Sequence, residues 1–355
     1  MTAILIGGAL SLTLGLAGTR AWIALLQARG YGQFIRDDGP TTHHTKRGTP
    51  TMGGAVVVVA ALFSYLVAHL VTLTPLTGSG MLVLFLTTGL GAVGFVDDYL
   101  KVSRKRSLGF RSGPKAACQV AVSLVFAAGV LWWPQSRGIS IASTAVSFTR
   151  DTPLVLPAGL FVAWVVLIVA GTSNAVNLTD GLDGLAAGAS VMVLGAYVVI
   201  GVWEFGKNCV EPDAVASACY PTRDPYDLAL VAAVMVGSLF GFLWWNAAPA
   251  RIFMGDTGSL AIGGALAGLA VTTRTELLLP ILGGLFVVIT LSVIIQVGWF
   301  RVSGGKRVFR MAPLQHHLEM LGWQEITIVV RFWLLAGISV AVGMGVFYAE
   351  WVARA

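Results

Sequence analysis

Two adjacent carboxylates, Asp97 and Asp98, end an apolar run, with Lys101 four residues after Asp97. Like charges side by side repel, so the pair needs a divalent cation, a cationic side chain or water to compensate it. On a helix, Lys101 shares a face with Asp97. The cluster suits a metal or general-base site beside an anion-binding ammonium group. It equally suits a solvated helix terminus.

Four more clusters share this character. Asn174, Asn177, Asp180 and Asp183 recur every third residue. On a helix they predict one polar stripe, while Gly181 and Gly184 allow a turn and close approach of a ligand. Asn246 opens a segment holding Phe253, Gly255 and Asp256. There Asp256 is a helix cap or a metal carboxylate, and Phe253 offers a flat stacking surface. His316 and His317 sit near Arg301, Lys306, Arg307 and Arg310. These imidazole and guanidinium groups suit phosphate or sugar contacts, or an ordinary basic loop at an anionic membrane surface. Lys46 precedes Gly48-Thr49-Pro50-Thr51-Met52-Gly53-Gly54, where it can meet a phosphate. No phosphate-binding glycine loop of the P-loop or dinucleotide-fold kind accompanies it.

The elements that must hold these clusters are membrane helices. Of 355 residues, 56% are hydrophobic and 11% charged, against roughly 25% charged in soluble proteins, and mean hydropathy is +0.80. That excludes a soluble enzyme, a disordered chain and a secreted disulfide scaffold. A membrane helix needs roughly 20 apolar residues. Ten such runs are present, over residues 4–27, 52–73, 81–100, 115–133, 157–174, 185–203, 228–245, 259–272, 277–300 and 328–351. The eighth is short and glycine-rich. The first is a retained helix rather than a signal peptide, for it lacks a basic start and a cleavage site. No linker or polar block divides the chain, so residues 1–355 form one integral membrane domain.

Ten spans put alternate loops on opposite sides. One side carries fifteen of the 23 Lys and Arg residues and all five clusters; the other carries six. Basic loops face the cytoplasm, which places the clusters there and both termini outside. The net charge of +6 is explained by this orientation, so no nucleic-acid partner is expected. Cys209 and Cys219 share an outer loop, where an oxidising compartment allows them to pair. A transporter places its ionisable groups near mid-membrane, but the only candidates deep in a run are Arg20, His69 and Arg331, and they suit that role poorly. Clustering at one interface suits an enzyme that joins a water-soluble substrate to a lipid one.

In order along the chain, residues 46–54, Asp97-Asp98-Tyr99-Leu100-Lys101, residues 174–184, Phe253-Met254-Gly255-Asp256 and Met311-Ala312-Pro313-Leu314-Gln315-His316-His317 resemble the phospho-N-acetylmuramoyl-pentapeptide transferase family. That family lies within the polyprenyl-phosphate N-acetylhexosamine-1-phosphate transferase superfamily. The resemblance spans nearly the whole chain. It implies an all-α polytopic membrane protein with ten transmembrane helices, extracytoplasmic termini and a cytoplasmic active site, working as a Mg²⁺-dependent homodimer in the bacterial cytoplasmic membrane. The implied reaction moves phospho-MurNAc-pentapeptide from UDP-MurNAc-pentapeptide to undecaprenyl phosphate, giving lipid I and UMP in peptidoglycan synthesis for the cell wall. By the same resemblance Asp256 is the Mg²⁺ ligand, Asp97 the base, and Asp98 its catalytic neighbour. Lys101, Lys105 and Lys115 match phosphate-facing positions. Lys46, Gly181, Leu182, Asp183 and Phe253 match the uridine pocket. Asn177, Asp180, Asn246 and Gln296 match other polar positions, and His316 and His317 match two of three consecutive histidines. Gln315 stands where the first histidine is usual, and Gln cannot carry a proton as imidazole does. A polyprenyl-phosphate GlcNAc-1-phosphate transferase is the near alternative. A nucleotide-sugar or lipid-linked sugar transporter is the alternative of another class.

Overall fold

The computed structural model describes residues 1–32, 48–104, 109–110, 112–136, 138–210 and 218–354. Twelve helices run in order: α1 (Thr2–Ala28), α2 (Gly54–Thr72), α3 (Gly78–Ser103), α4 (Ser112–Trp132), α5 (Ala158–Thr179), α6 (Leu185–Gly206), α7 (Pro225–Asn246), α8 (Gly255–Thr272), α9 (Leu279–Leu282), α10 (Gly284–Val302), α11 (Leu314–Met320) and α12 (Glu325–Val352). Among the described residues, nine of these are long and apolar enough to cross a membrane: α1 to α7, α10 and α12. The protein is therefore a polytopic, mostly helical membrane protein.

The eighth run behaves differently from its neighbours for a physical reason. Every residue of α8 from Thr257 to Thr272 is buried, with α3, α5, α2, α6 and α7 packed around it. A helix with no lipid-facing side gains from small residues that admit close neighbours rather than from long apolar ones. Hence Gly258, Gly263, Gly264 and Gly268 dilute its hydropathy. At Gly258 and Gly263 an added Cβ would strike Met254 and the α5 backbone at Ser173, respectively. The same device joins α1 to α7, where a side chain at Gly15 or Gly241 would collide with the opposite backbone.

Two expectations change. The chain is not purely helical: β1 (Ala145–Ser147) and β2 (Asp151–Val155) form an antiparallel hairpin between α4 and α5. The segment is rich in β-branched residues and too polar for a span. Its edge is tied down by the Ser147 amide, which donates to Glu276 Oε2 at 2.9 Å, and by the Leu277 amide, which donates to the Ser147 carbonyl. The ninth run is two helices, α9 and α10, joined at Gly283. Cys209 and Cys219 are disulfide-bonded, as their shared loop allowed.

Candidate active site

The site forms where the ends of α3, α4, α5 and α8 meet. Asp97 and Asp98 are buried near the C-terminal end of α3. Asp256 is in the first turn of α8. One carboxylate oxygen from each of the three lies within 4.8 Å of the others, and this is the only such acidic or metal-ligating group found among the described residues. Chain distance between Asp98 and Asp256 is closed by glycine. A Cβ at Gly94 would strike the Asp256 carbonyl, and one at Gly255 would strike the Asp98 carboxylate. Gly255 also adopts φ +75°, a conformation that glycine takes without penalty.

Two cations balance the acids in part. Lys101 Nζ sits 2.7 Å from Asp97 Oδ2, 2.8 Å from Asp256 Oδ2 and 3.5 Å from Asp98 Oδ1. Lys115 Nζ lies 2.5 Å from Asp256 Oδ2 and 3.6 Å from Asp97 Oδ2. Three carboxylates against two ammonium groups leave one negative charge in excess. The donor set is all oxygen, which is what a hard divalent cation takes, so Asp97, Asp98 and Asp256 could together hold one.

Each acid has its own support. Asp98 accepts from the Thr257 amide at 2.9 Å, the Thr257 hydroxyl at 2.7 Å and the Asp256 amide at 3.2 Å. It thus caps α8 from another helix, satisfying amides that have no partner within their own helix. Asp97 Oδ1 accepts from the Phe110 amide at 2.5 Å. Asn177 Nδ2 donates to Asp256 Oδ1 and to Ser259 Oγ, both at 2.8 Å.

The expected polar stripe is only half helical. Helix α5 ends at Thr179, Asp180 is its cap, and Asp183 lies in the turn beyond. Asn177 faces the acids, whereas exposed Asn174 turns back to the Ala170 carbonyl. Four amides and acids three apart drift around a helix, so one face cannot serve them all. The recess around Asp180, with Asp256, Asp98 and Asp183 as charged neighbours, pushes its carboxyl up to about 8.

A second layer of loops covers this end. Asp183 accepts from the Ala250 amide at 2.9 Å, and its own amide donates to Glu325 Oε1 at 2.9 Å. Asn246 donates to the Ile252 carbonyl at 2.9 Å, shaping the turn that presents half-buried Phe253. The Phe253 amide donates to the Pro50 carbonyl, and the Gly53 amide donates to the Phe253 carbonyl. Leu182 is buried beneath the turn. Gln315, wholly buried, donates to the Leu178 carbonyl at 2.9 Å, so it ties α11 to the end of α5. A tether of this kind needs an amide and no titrating ring, which accounts for Gln at this position. The same junction sets His316 Nε2 against Gly181.

Gln296 is placed elsewhere. Its amide bonds the backbone of Val308 and Phe309 at 2.9 to 3.1 Å, bracing the loop before α11. His317 Nδ1 accepts from the Arg310 amide at 3.1 Å. Lys46 and Lys105 lie outside the described residues. Sequence reasoning assigned no role to Thr257 or Glu319, although both stand inside its polar clusters, and it passed over Glu325. Glu319 Oε2 is 2.7 Å from His316 Nδ1. The three-residue spacing of His316 and Glu319 on a helix was the available signal; for Glu325 it was an acid opening the last apolar run.

Buried acids and paired lysines on a mostly helical membrane scaffold suit a membrane-embedded transferase, and the sequence model of glycosyl transferase family 4 matches residues 80–274. Three relatives are each named phospho-N-acetylmuramoyl-pentapeptide-transferase. The protein of Cutibacterium acnes is 57% identical over 354 residues, covering 99% of both chains. That of Pseudarthrobacter chlorophenolicus is 59% identical over 366 residues, again covering 99% of both. That of Streptomyces griseus is 56% identical over 356 residues, covering 100% of both. The chain belongs to the phospho-N-acetylmuramoyl-pentapeptide-transferase family.

Proposed function

We propose that the protein transfers phospho-MurNAc-pentapeptide from UDP-MurNAc-pentapeptide to undecaprenyl phosphate, forming lipid I and UMP in the bacterial cytoplasmic membrane. The observation that carries this reading is the convergence of Asp97, Asp98 and Asp256 with Lys101 and Lys115 at one end of the helices. Full-length relatives of that name support the choice of substrates. An oxygen of the lipid phosphate forms a bond to the sugar-bearing phosphorus, and the bond from that phosphorus to the UMP oxygen breaks.

Both substrates are anionic, so charge compensation dominates the chemistry. Lys101 and Lys115 are placed to meet phosphate oxygens, exchanging part of their pairing with Asp256 for it. Asp97, with one oxygen fixed by the Phe110 amide, is the candidate to orient or deprotonate the lipid phosphate. Asp98 is a positioning residue here: it touches both Lys101 and the first turn of α8, setting where Asp256 stands. Mg²⁺ would be held by Asp256 with Asp97 and Asp98, and when bound it supplies neutralisation of phosphoryl oxygens. Gly181, Leu182, Asp183 and Phe253 form the proposed uridine side, to which the family resemblance also assigns Lys46. His316, His317 and Asp180 face the sugar phosphates. Ten crossings, with α8 as the tenth, outside termini and a homodimer complete the proposal.

Purified protein given undecaprenyl phosphate and either UDP-MurNAc-pentapeptide or UDP-GlcNAc should release UMP only with the first. Release with UDP-GlcNAc alone would assign the neighbouring transferase activity instead, and substrate uptake without UMP would assign transport. Asp256→Asn should keep the fold and lose about a hundredfold or more in turnover at every Mg²⁺ concentration.

A further inference from the structure

Away from the acid cluster, α1 carries Arg20, eight residues before its end at Ala28. The side chain is exposed and has no ion pair or hydrogen bond among the described residues. An unpaired guanidinium on a membrane helix is costly unless an anion or water meets it. Arg251, just past the end of α7, is likewise exposed and without a carboxylate partner, and its guanidinium lies 5.6 Å from the centre of the Trp245 ring. Both arginines line one cavity of about 700 Å³, together with Gln27, Thr49 and Pro50, and no acid is among the described residues that line it.

An apolar approach leads to this cavity. Leu12 and Leu16 precede Arg20 by two turns and one turn on the same face of α1, and both are exposed. Helix α7 adds exposed Phe240 and Trp244 beside Gly241, the residue that packs on the backbone of Leu12 and Leu16. The Trp245 indole donates to the Leu16 carbonyl at 2.9 Å, which fixes the ring beneath Arg251.

We propose that this cavity binds the phosphate of an anionic phospholipid, with its acyl chains along Leu12, Leu16, Phe240 and Trp244. Two guanidinium groups match one phosphate, and among the described lining residues no carboxylate is placed to receive the ammonium of a zwitterionic headgroup. The site is distinct from the acid cluster. Helix α4, which brings Lys115, packs on α3 and α5, whereas α1 packs on α7 and α2. Loops connect the cavity to the turns around the acids, because the Ala250 amide beside Arg251 donates to Asp183 and the Phe253 amide donates to the carbonyl of cavity-lining Pro50. The lipid therefore braces the segment that presents Phe253.

The test is native mass spectrometry on protein stripped of lipid in neutral detergent, titrated with phosphatidylglycerol or phosphatidylcholine of matched chains. Wild type should bind phosphatidylglycerol at least tenfold more tightly, and R20Q/R251Q should bring the ratio near one. R20K/R251K should retain most of the preference, and the same elution and thermal midpoint in phosphatidylcholine should accompany all three proteins. Equal binding of the two lipids by wild type would overturn the proposal, as would a preference undiminished in R20Q/R251Q. Displacement of phosphatidylglycerol by equimolar undecaprenyl phosphate would make this an acceptor site, and displacement by millimolar inorganic phosphate would make it a phosphate site; either result also overturns it.

Discussion

Single side chains decide the chemistry, and the one with the most displaced titration outside the spans is Asp180. Its carboxyl is pushed up to about 8 by burial and by nearby acids, against roughly 3.9 in an unfolded chain. A raised carboxyl pKa means that the folded state holds the proton more tightly. The stabilisation is complete below about pH 4 and is lost as pH rises through about 8. Without divalent cation, the thermal midpoint should therefore fall between about pH 4 and about pH 8 and level off above, and Asp180→Asn should flatten that slope. An equal slope in the variant would relocate the titrating group. Glu319 supports a second prediction. It fixes His316 through Nδ1 and leaves Nε2 directed at Gly181. Glu319→Gln should lower turnover by roughly tenfold, the usual scale for an orienting partner, while a folded helix α11 keeps the thermal midpoint. Turnover equal to wild type would remove the orienting role. The sequence disclosed the acids because Asp97, Asp98 and Asp256 stand next to apolar runs that cannot neutralise them. It concealed Glu319 and Thr257, whose roles appear only when a partner from another turn or helix is in place.

At the scale of elements, helix packing rather than loop chemistry brings Asp256 to Asp97. The contact of α3 with α8 has no room at Gly94, where a methyl would meet the Asp256 carbonyl. Gly94→Ala must push the first turn of α8 away from Asp98, which caps it. Overpacking of this sort costs typically 1–3 kcal/mol. The expected result is a lowered thermal midpoint together with a larger loss of UMP release, since the displaced turn carries the site. Unchanged turnover would show that the cap tolerates the shift. Apolar length located the helices well: the run over 185–203 became Leu185–Gly206, and that over 228–245 became Pro225–Asn246. Hydropathy could not see that α8 begins at Gly255, since Asp256 is polar until Lys101, Lys115 and Asn177 answer it. Nor could it see the break at Gly283, because both flanking segments are equally apolar.

For the whole molecule, the status of α8 sets the topology, because one crossing more or fewer reverses every later loop. Its first turn touches Asp98 and lies beside the end of α3. Just beyond its last turn, Arg274 pairs with Asp151 at 2.8 Å, and Glu276 binds the Ser147 amide of the hairpin that joins α4 to α5. That hairpin lies at the opposite ends of α4 and α5 from the acids. Eighteen residues at 1.5 Å each give about 27 Å, close to the ~30 Å hydrocarbon thickness. Helix α8 thus runs from one end of the bundle to the other, sheathed by protein, which is why its composition understates its span. With the nine longer helices it would make the ten crossings proposed above, which would put the two termini on one side. On that proposal most basic residues and the acid cluster belong to the other side, and the Cys209–Cys219 disulfide belongs with the termini. Alkaline phosphatase fused after Ala355 should therefore be active in cells, and a fluorescent protein fused there should be dark. Inserted at Gly304, the pair should give the reverse. A fluorescent fusion after Ala355 with the Gly304 insertion also fluorescent would remove a crossing between them, and fluorescence after Ala355 with active phosphatase at Gly304 would invert the loops after α7, making α8 the helix to re-examine.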